Sequence, residues 1–268
     1  MKPSFEWVHV KGIERLADKT YLLSYHRPET ARVAKPGQFC MISPQEGKSN
    51  VFLPRPFSYF RTDGESRVEI LFRTFGKATR WMAGLKPGDR IGEFGPLGNC
   101  FAVPQRARHA ILLGGGIGLP PMAMLAGHLA EVGVERIDLI YGELEGARVV
   151  DLAATLPDNV KMHVATEDGV VGHRGLITEI FAPMIAKCES PPAVYACGPN
   201  PMMAAVASMI TPEKVEFYQS SCEEYMACGK GICQGCVIPV WNGEETIYMR
   251  CCTEGPVFNG FEVAWTLA

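Results

Sequence analysis

The sequence predicts a multidomain β plus α/β protein: an antiparallel β-barrel over residues 1–103, a parallel-sheet nucleotide-binding domain over 104–213 and a small cysteine module over 214–268. Three observations predict it. The first third consists of short strand-like runs broken by Gly and Pro, as in antiparallel barrels. The middle alternates strands with helices, which implies a parallel sheet. The last part carries three cysteines at C-x4-C-x2-C, interleaved with glycines.

Composition narrows the classes of function. A length of 268 residues allows two or three domains. Hydrophobic residues make up 47% and charged residues 21%, as in a soluble globular protein. The net charge of −3 gives no electrostatic case for nucleic acid. No apolar run approaches the roughly 18 residues that span a bilayer. The start, MKPSFEWVHV, lacks the apolar stretch of a signal peptide, so a cytoplasmic location is expected. In that setting ten cysteines point to metal or redox work rather than disulfides.

In the barrel, strands are expected at Tyr21–Tyr25, Phe39–Ser43, Pro56–Phe60, Arg67–Phe72 and Asp89–Glu93. Pro-Gly turns at Pro36-Gly37 and Pro87-Gly88 separate them, and one helix fits Lys77–Leu85. Arg55-Pro56-Phe57-Ser58 stands out. Proline fixes φ, arginine can grip a pyrophosphate with two hydrogen bonds, and serine offers a short hydroxyl. The same tetrapeptide also fits a strand start with a solvated arginine.

In the middle region, the apolar strand His109–Leu113 runs into Gly114-Gly115-Gly116-Ile117-Gly118, then the helix Leu119–Leu129. Pro120 and Pro121 stand at its start, where a missing N–H does no harm. A glycine turn there lets a pyrophosphate approach the helix N-terminus. The spacing Gly116-x-Gly118-x-x-Pro121 departs from G-x-G-x-x-G, and tight strand–helix packing is the alternative. Strands at Ile137–Gly142, Lys161–Thr166 and Ala193–Ala196 and helices at Leu176–Ile185 and Asn200–Ile210 complete the pattern. Glu143 could bind a ribose hydroxyl but reads first as a solvated acid at a strand end, and Arg148 is the lone candidate for a 2′-phosphate. NAD is therefore expected rather than NADP.

Val215–Gln219 is expected as the last strand of the nucleotide domain. Cys228, Cys233 and Cys236 follow, spaced as in plant-type [2Fe–2S] proteins, where a distant fourth cysteine completes the set. Gly229, Gly231 and Gly235 can wrap the backbone so that N–H groups face the sulfurs. Zinc is the alternative, but it usually takes two short knuckles; buried free thiols are another. A hairpin around Asn242-Gly243 delivers Cys251 and Cys252, adjacent residues of which one can face the metal.

The motifs together carry a resemblance. Arg55-Pro56-Phe57-Ser58, Leu71-Phe72-Arg73 and Gly76-Lys77-Ala78-Thr79 resemble the flavin domain of the ferredoxin–NADP reductase superfamily, with Ala78 in place of a second glycine. Cys197-Gly198-Pro199-Asn200-Pro201-Met202 resembles that superfamily's element near the nicotinamide. With MACGKGICQGC and RCCTEGPVF, nearly the whole chain resembles the electron-transfer subunits of dihydroorotate dehydrogenase B.

This resemblance implies FAD held by Arg55, Pro56, Phe57, Ser58, Leu71, Phe72, Arg73, Gly76, Ala78 and Thr79. It implies NAD at Gly115, Gly116, Gly118, Gly198 and Pro199, with Cys197 at the reacting ring. It selects Cys252 to join Cys228, Cys233 and Cys236 around a [2Fe–2S] cluster, and leaves Cys222 outside the set. It further implies an FMN-containing catalytic partner in an α2β2 heterotetramer, a role in pyrimidine synthesis, and no dihydroorotate site in this chain. A related reductase serving a hydrogenase, a sulfite reductase or a ferredoxin is the nearest rival. A zinc-stabilised binding module is the rival of another class.

Overall fold

The computed structural model describes residues 2–45 and 50–266. Residues 1, 46–49 and 267–268 of the expected first and last domains lie outside the described residues.

The barrel is built from β1 (Ser4–Ala17), β2 (Thr20–His26), the short helix α1 (Pro28–Ala31), β3 (Phe39–Pro44), β4 (Arg55–Ser58), β5 (Arg61–Thr62), β6 (Arg67–Arg73), the helix α2 (Lys77–Ala83) and β7 (Arg90–Leu97). Its antiparallel order is β4-β3-β7-β1-β2-β6-β5. The ends approach closure through two residues: Tyr59 N donates to Gln38 O (3.2 Å) and Phe60 N to Glu69 O (2.9 Å). The expected strand Pro56–Phe60 therefore ends at Ser58, because Tyr59 and Phe60 turn inward to bridge the two edges.

Strand β1 was not expected. It pairs with β7 through Ser4–His9 and with β2 through His9–Ala17, so neither half is buried on both faces. Phe5 and Trp7 remain partly exposed while Val8 and Val10 enter the core, which weakens the alternation that marks a strand. Inside the barrel, Leu23, Tyr25, Cys40, Ile42, Val68, Ile70 and Ile91 pack together. The buried Arg27 pairs there with the buried Glu93 at 2.6 Å, and Tyr59 donates to the same carboxylate at 2.7 Å.

The second sheet contains β8 (His109–Gly115), β9 (Arg136–Glu143), β10 (Val160–Thr166), β11 (His173–Arg174), β12 (Ala193–Cys197) and β13 (Phe217–Ser221). Helices α3 (Leu119–Glu131), α4 (Ile177–Ala186) and α5 (Asn200–Met209) cover it. All these strands are parallel, in the order β11-β10-β9-β8-β12-β13. Burial on both faces explains the continuous apolar character of the central strands β8 and β12.

The C-terminal part holds the hairpin β14 (Val237–Trp241) and β15 (Thr246–Arg250), then β16 (Val257–Asn259). Strand β16 pairs antiparallel with β13 and becomes the edge of the second sheet. The sheet thus runs past the boundary expected at residue 213. Cys236, Ile238, Cys251, Cys252 and Phe258 share one apolar cluster with Val194 of the sheet and with Phe39, Met41 and Leu97 of the barrel.

Candidate functional site

The C-terminal ends of β8, β9 and β12 open toward the barrel, the side where ligands bind in open parallel sheets. Two loops interlock there. A Cβ on Gly118 would lie 2.0 Å from the Cys197 carbonyl oxygen, and one on Gly115 would lie 2.5 Å from Met202 Sδ and 2.9 Å from Pro199 Cδ. One on Gly198 would meet Gly115 Cα at 3.0 Å. The glycine turn and the Cys197-Gly198-Pro199 element are therefore one surface, and the close packing joins two strand ends rather than only a strand and its helix. Gly116 takes φ +54, which favours glycine.

Cys197 closes β12 and is 8% exposed. Burial pushes its thiol up to about 12, with Glu223 adding to the effect. It is a neutral group at pH 7, not a nucleophile.

On the barrel side, Arg55 is exposed and donates to its own neighbours, the carbonyls of Leu53 (2.9 Å) and Pro54 (3.1 Å). Pro56, Phe57 and Ser58 are half-buried along β4. At α2, Phe75 N and Gly76 N donate to Thr79 Oγ1 at 2.8 and 3.2 Å, and a Cβ on Gly76 would meet nothing within 4 Å. Thr79 thus holds those two N–H groups, and the space beside Gly76 is open. Leu71, Phe72 and Ala78 differ from the rest of the expected flavin set. Their side chains are 3%, 1% and 7% exposed, and those of Leu71 and Phe72 belong to the cores behind the crevice.

Arg73 leaves the barrel and forms an ion pair with Glu143 at the end of β9. Glu143 is 6% exposed and also accepts from the Tyr141 hydroxyl at 2.7 Å. The expectation of a solvated acid is therefore wrong: a cation from the barrel, invisible to local sequence, buries it. Arg148 pairs with Glu145 at 2.6 Å.

The cysteine loop lies against the barrel wall. A Cβ on Gly229 would sit 2.7 Å from Met41 Cγ and 3.5 Å from Leu97 Cδ1, and Lys230 Nζ lies 4.9 Å from the Phe94 ring centre. Gly229 and Gly231 take φ +61 and +72. The third left-handed residue is Gln234 (φ +55), not Gly235. Lys230 N donates to Cys228 Sγ at 3.3 Å. Backbone N–H groups of Cys233, Lys230 and Ile232 together lower the Cys228 thiol to about 6, so its thiolate is favoured.

Cys228 lies beside Cys233 and Cys236 beside Cys252, and Cys228 is also near Cys252. Among the described residues no three Cys, His, Asp or Glu side chains converge on one ion. A binuclear cluster takes two thiolates at each iron. The donor set fits a [2Fe–2S] group. Cys233 is exposed and Cys236 and Cys252 are 2% exposed, so one pair is at the rim and the other inside.

The neighbours 251 and 252 diverge. Cys251 Sγ donates to the Cys222 carbonyl at 3.0 Å, away from the loop, and burial raises its pKa strongly. Arg250, just before them, donates through Nη1 to Gly231 O at 2.8 Å while Glu254 holds its other edge. Asn99 ties the barrel to this module through Glu254 O and Val257. Nothing local in the sequence reveals Asn99's partner 158 residues away.

Residues 223–264 match the iron–sulfur cluster binding domain of dihydroorotate dehydrogenase B. The chain is 35% identical over 252 residues to the dihydroorotate dehydrogenase B (NAD(+)) electron transfer subunit of Bacillus caldolyticus, covering 92% of this chain and 94% of that protein. The Listeria monocytogenes serovar 1/2a protein of the same name is 36% identical over 251 residues, at 92% and 94% coverage. Among solved structures, an NADH-dependent reduced ferredoxin-NADP oxidoreductase superposes with TM-score 0.84 at 24% identity, covering 97% of this chain and 90% of that one. Phthalate dioxygenase reductase gives TM-score 0.63 at 19% identity, covering 93% and 77%. Among the described residues no helix is long and apolar enough to cross a membrane.

Proposed function

The chain belongs to the family of dihydroorotate dehydrogenase B electron transfer subunits, and from that premise we propose that it carries electrons from a separate catalytic subunit to NAD+. In this reading the partner oxidises dihydroorotate on FMN, in pyrimidine synthesis, within a cytoplasmic α2β2 complex. When bound, a [2Fe–2S] cluster would supply single-electron exchange, and FAD would supply the conversion of two single electrons and a proton into one hydride.

The chain's residues divide the work. Cys228, Cys233, Cys236 and Cys252 hold the cluster, and Arg250 braces the loop across Gly231. Arg55, Ser58 and the turn at Gly76 and Thr79 hold and orient the flavin. The glycines at 115, 116, 118 and 198, with Pro199, admit the dinucleotide to the strand ends. Cys197 presents a protonated, uncharged sulfur beside the reacting ring and excludes water from it.

The observation that carries the reading is the gathering of the four thiols, on a loop whose Gly229 touches barrel residues Met41 and Leu97. In this reading the end with exposed Cys233 and half-buried Cys228 is the one open to a partner, and the buried Cys236–Cys252 end faces inward. The test is the purified chain. Iron, acid-labile sulfide and flavin are expected together, with a reduced-state EPR signal and NADH oxidation by an artificial acceptor. Oxidation of dihydroorotate by this chain alone would overturn the division of labour.

A further inference from the structure

At the end of the second sheet opposite the crevice, a thiol, an imidazole and a carboxylate stand in line. Cys188, just past the end of α4, has its Sγ 3.6 Å from His109 Nδ1. His109 opens β8, and its Nε2 lies 2.8 Å from Asp138 Oδ2 on β9. Asp138 also receives His163 Nε2 at 2.6 Å and Arg136 Nε at 2.7 Å. Both Nε2 atoms face this carboxylate rather than a common ion. Asp138 is 1% exposed, whereas Cys188 is half-buried and open on one side. The length of β8, about 20 Å, separates His109 from Gly115 at the crevice.

We propose that Cys188 is a reactive thiol that exchanges with low-molecular-weight disulfides, with His109 as its base and Asp138 as the residue that positions His109. The proton count fixes the roles. Asp138 is ionised: burial by itself raises its pKa, but its three donors outweigh that. A carboxylate only accepts, so His109 Nε2 must carry a proton. The neutral ring then presents a lone pair at Nδ1, the atom that faces Cys188. Nucleophile, base and orienting carboxylate stand in the order that activates a cysteine. Burial raises the Cys188 pKa, Arg136 pulls it down and Asp138 adds to the rise, so the resting sulfur is a thiol and needs a base. At rest its proton has a second acceptor in Met184 O, at 3.5 Å. In the exchange, Nδ1 takes the proton and Sγ attacks one sulfur of the disulfide. The new S–S bond forms as the old one breaks, and the leaving thiolate recovers the proton. Cys188 is oxidised to a mixed disulfide, and the departing half of the reagent is reduced to a thiol. Half-burial beside α4 admits a small disulfide and keeps out a protein one.

The experiment uses flavin- and cluster-loaded protein under anaerobic conditions, with oxidised glutathione as the disulfide and adducts followed over time by peptide mass spectrometry. Cys100, also half-buried, is the internal reference. In the unmodified protein Cys188 should form its adduct roughly 10-fold or more faster than Cys100, a comparison that needs no variant to fold. His109→Gln keeps an N–H for Asp138 but removes the base. It should slow Cys188 by roughly 10- to 100-fold and leave Cys100 unchanged. Asp138→Asn should slow Cys188 as well, whereas mere structural loosening would expose the thiol and speed it. A Cys188 no faster than Cys100, or a rate that is unchanged or raised in either variant, overturns the proposal.

Discussion

Asn99 and Val257 hold each other through both ends of one amide: Val257 N donates to Asn99 Oδ1 at 2.9 Å, and Asn99 Nδ2 donates to Val257 O at 2.7 Å. A further bond from Nδ2 reaches Glu254 O at 3.0 Å. The barrel's last turn is thereby fastened to the segment between the cysteine hairpin and β16. Asn99→Ala should lower unfolding free energy by about 1–2 kcal/mol, since the freed backbone groups can find water at this exposed site. Denaturant titration followed by flavin and cluster absorbance should show the cluster bleaching at lower denaturant than in the wild type. Unchanged midpoints would remove Asn99 from that role.

Two glycines of similar sequence context should respond oppositely to alanine. Gly118→Ala forces a methyl to within 2.0 Å of the Cys197 carbonyl, a backbone atom that cannot swing aside. A cost of roughly 1–3 kcal/mol is expected, with weakened NADH binding. Gly127, inside α3, has nothing within 4 Å of a new Cβ. Gly127→Ala should stabilise by about 0.5–1 kcal/mol, because it reduces the freedom of the unfolded chain without a clash. Thermal melts of the two variants give the comparison.

Asp138 supplies the pH dependence. Burial by itself raises its pKa, but hydrogen bonds from His109 Nε2 (2.8 Å), His163 Nε2 (2.6 Å) and Arg136 Nε (2.7 Å) outweigh that and hold the carboxyl well below its ordinary range. A carboxylate with a depressed folded pKa contributes stability above its unfolded value, about 3.9, and loses it as pH falls toward the folded value. Asp138→Asn should therefore be less stable than wild type by roughly 2–4 kcal/mol at pH 7, where a hydrogen-bonded charge is lost. The gap should shrink as pH drops below about 4. Urea denaturation across pH 3–7 measures it, and a gap that widens on acidification contradicts the assignment.

The parallel strands were legible because burial on both faces makes residues 110–115 and Ala193–Cys197 continuous apolar runs. The cysteine loop was legible because its chemistry is local: residues 228–236 supply three sulfurs and their own N–H donors. What escaped depends on distant partners. Strand β1 divides its pairing between β7 and β2, so no single face repeats. Glu143 looked solvated because Arg73 is 70 residues away. Leu71, Phe72 and Ala78 sit in a flavin-like motif with their side chains buried, which only the fold reveals. Strand β16 is three residues long and owes its place to β13.

Cys251 and Cys252 offer the sharpest test of the cluster, because sequence position barely separates them. Both are buried and both follow β15 directly. Their environments differ. Cys252 neighbours Cys236, and its thiol is raised to about 11 by burial and by that neighbour, as expected for a second thiol brought beside the first without metal. Iron would relieve this, since a coordinating thiol is deprotonated outright. Cys251 instead spends its proton on the Cys222 carbonyl and is locked there, while its own N–H donates to Cys236 O at 2.8 Å. Cys252→Ser should therefore abolish the visible cluster absorbance and the EPR signal while flavin remains bound. Cys251→Ser should keep a full complement of iron, with the new hydroxyl taking over the bond to Cys222 and a stability loss of about 1 kcal/mol or less. Iron analysis of the two variants decides the matter: equal loss from both would mean that the turn carrying them reorganises on binding and that the divergence seen here does not select the ligand.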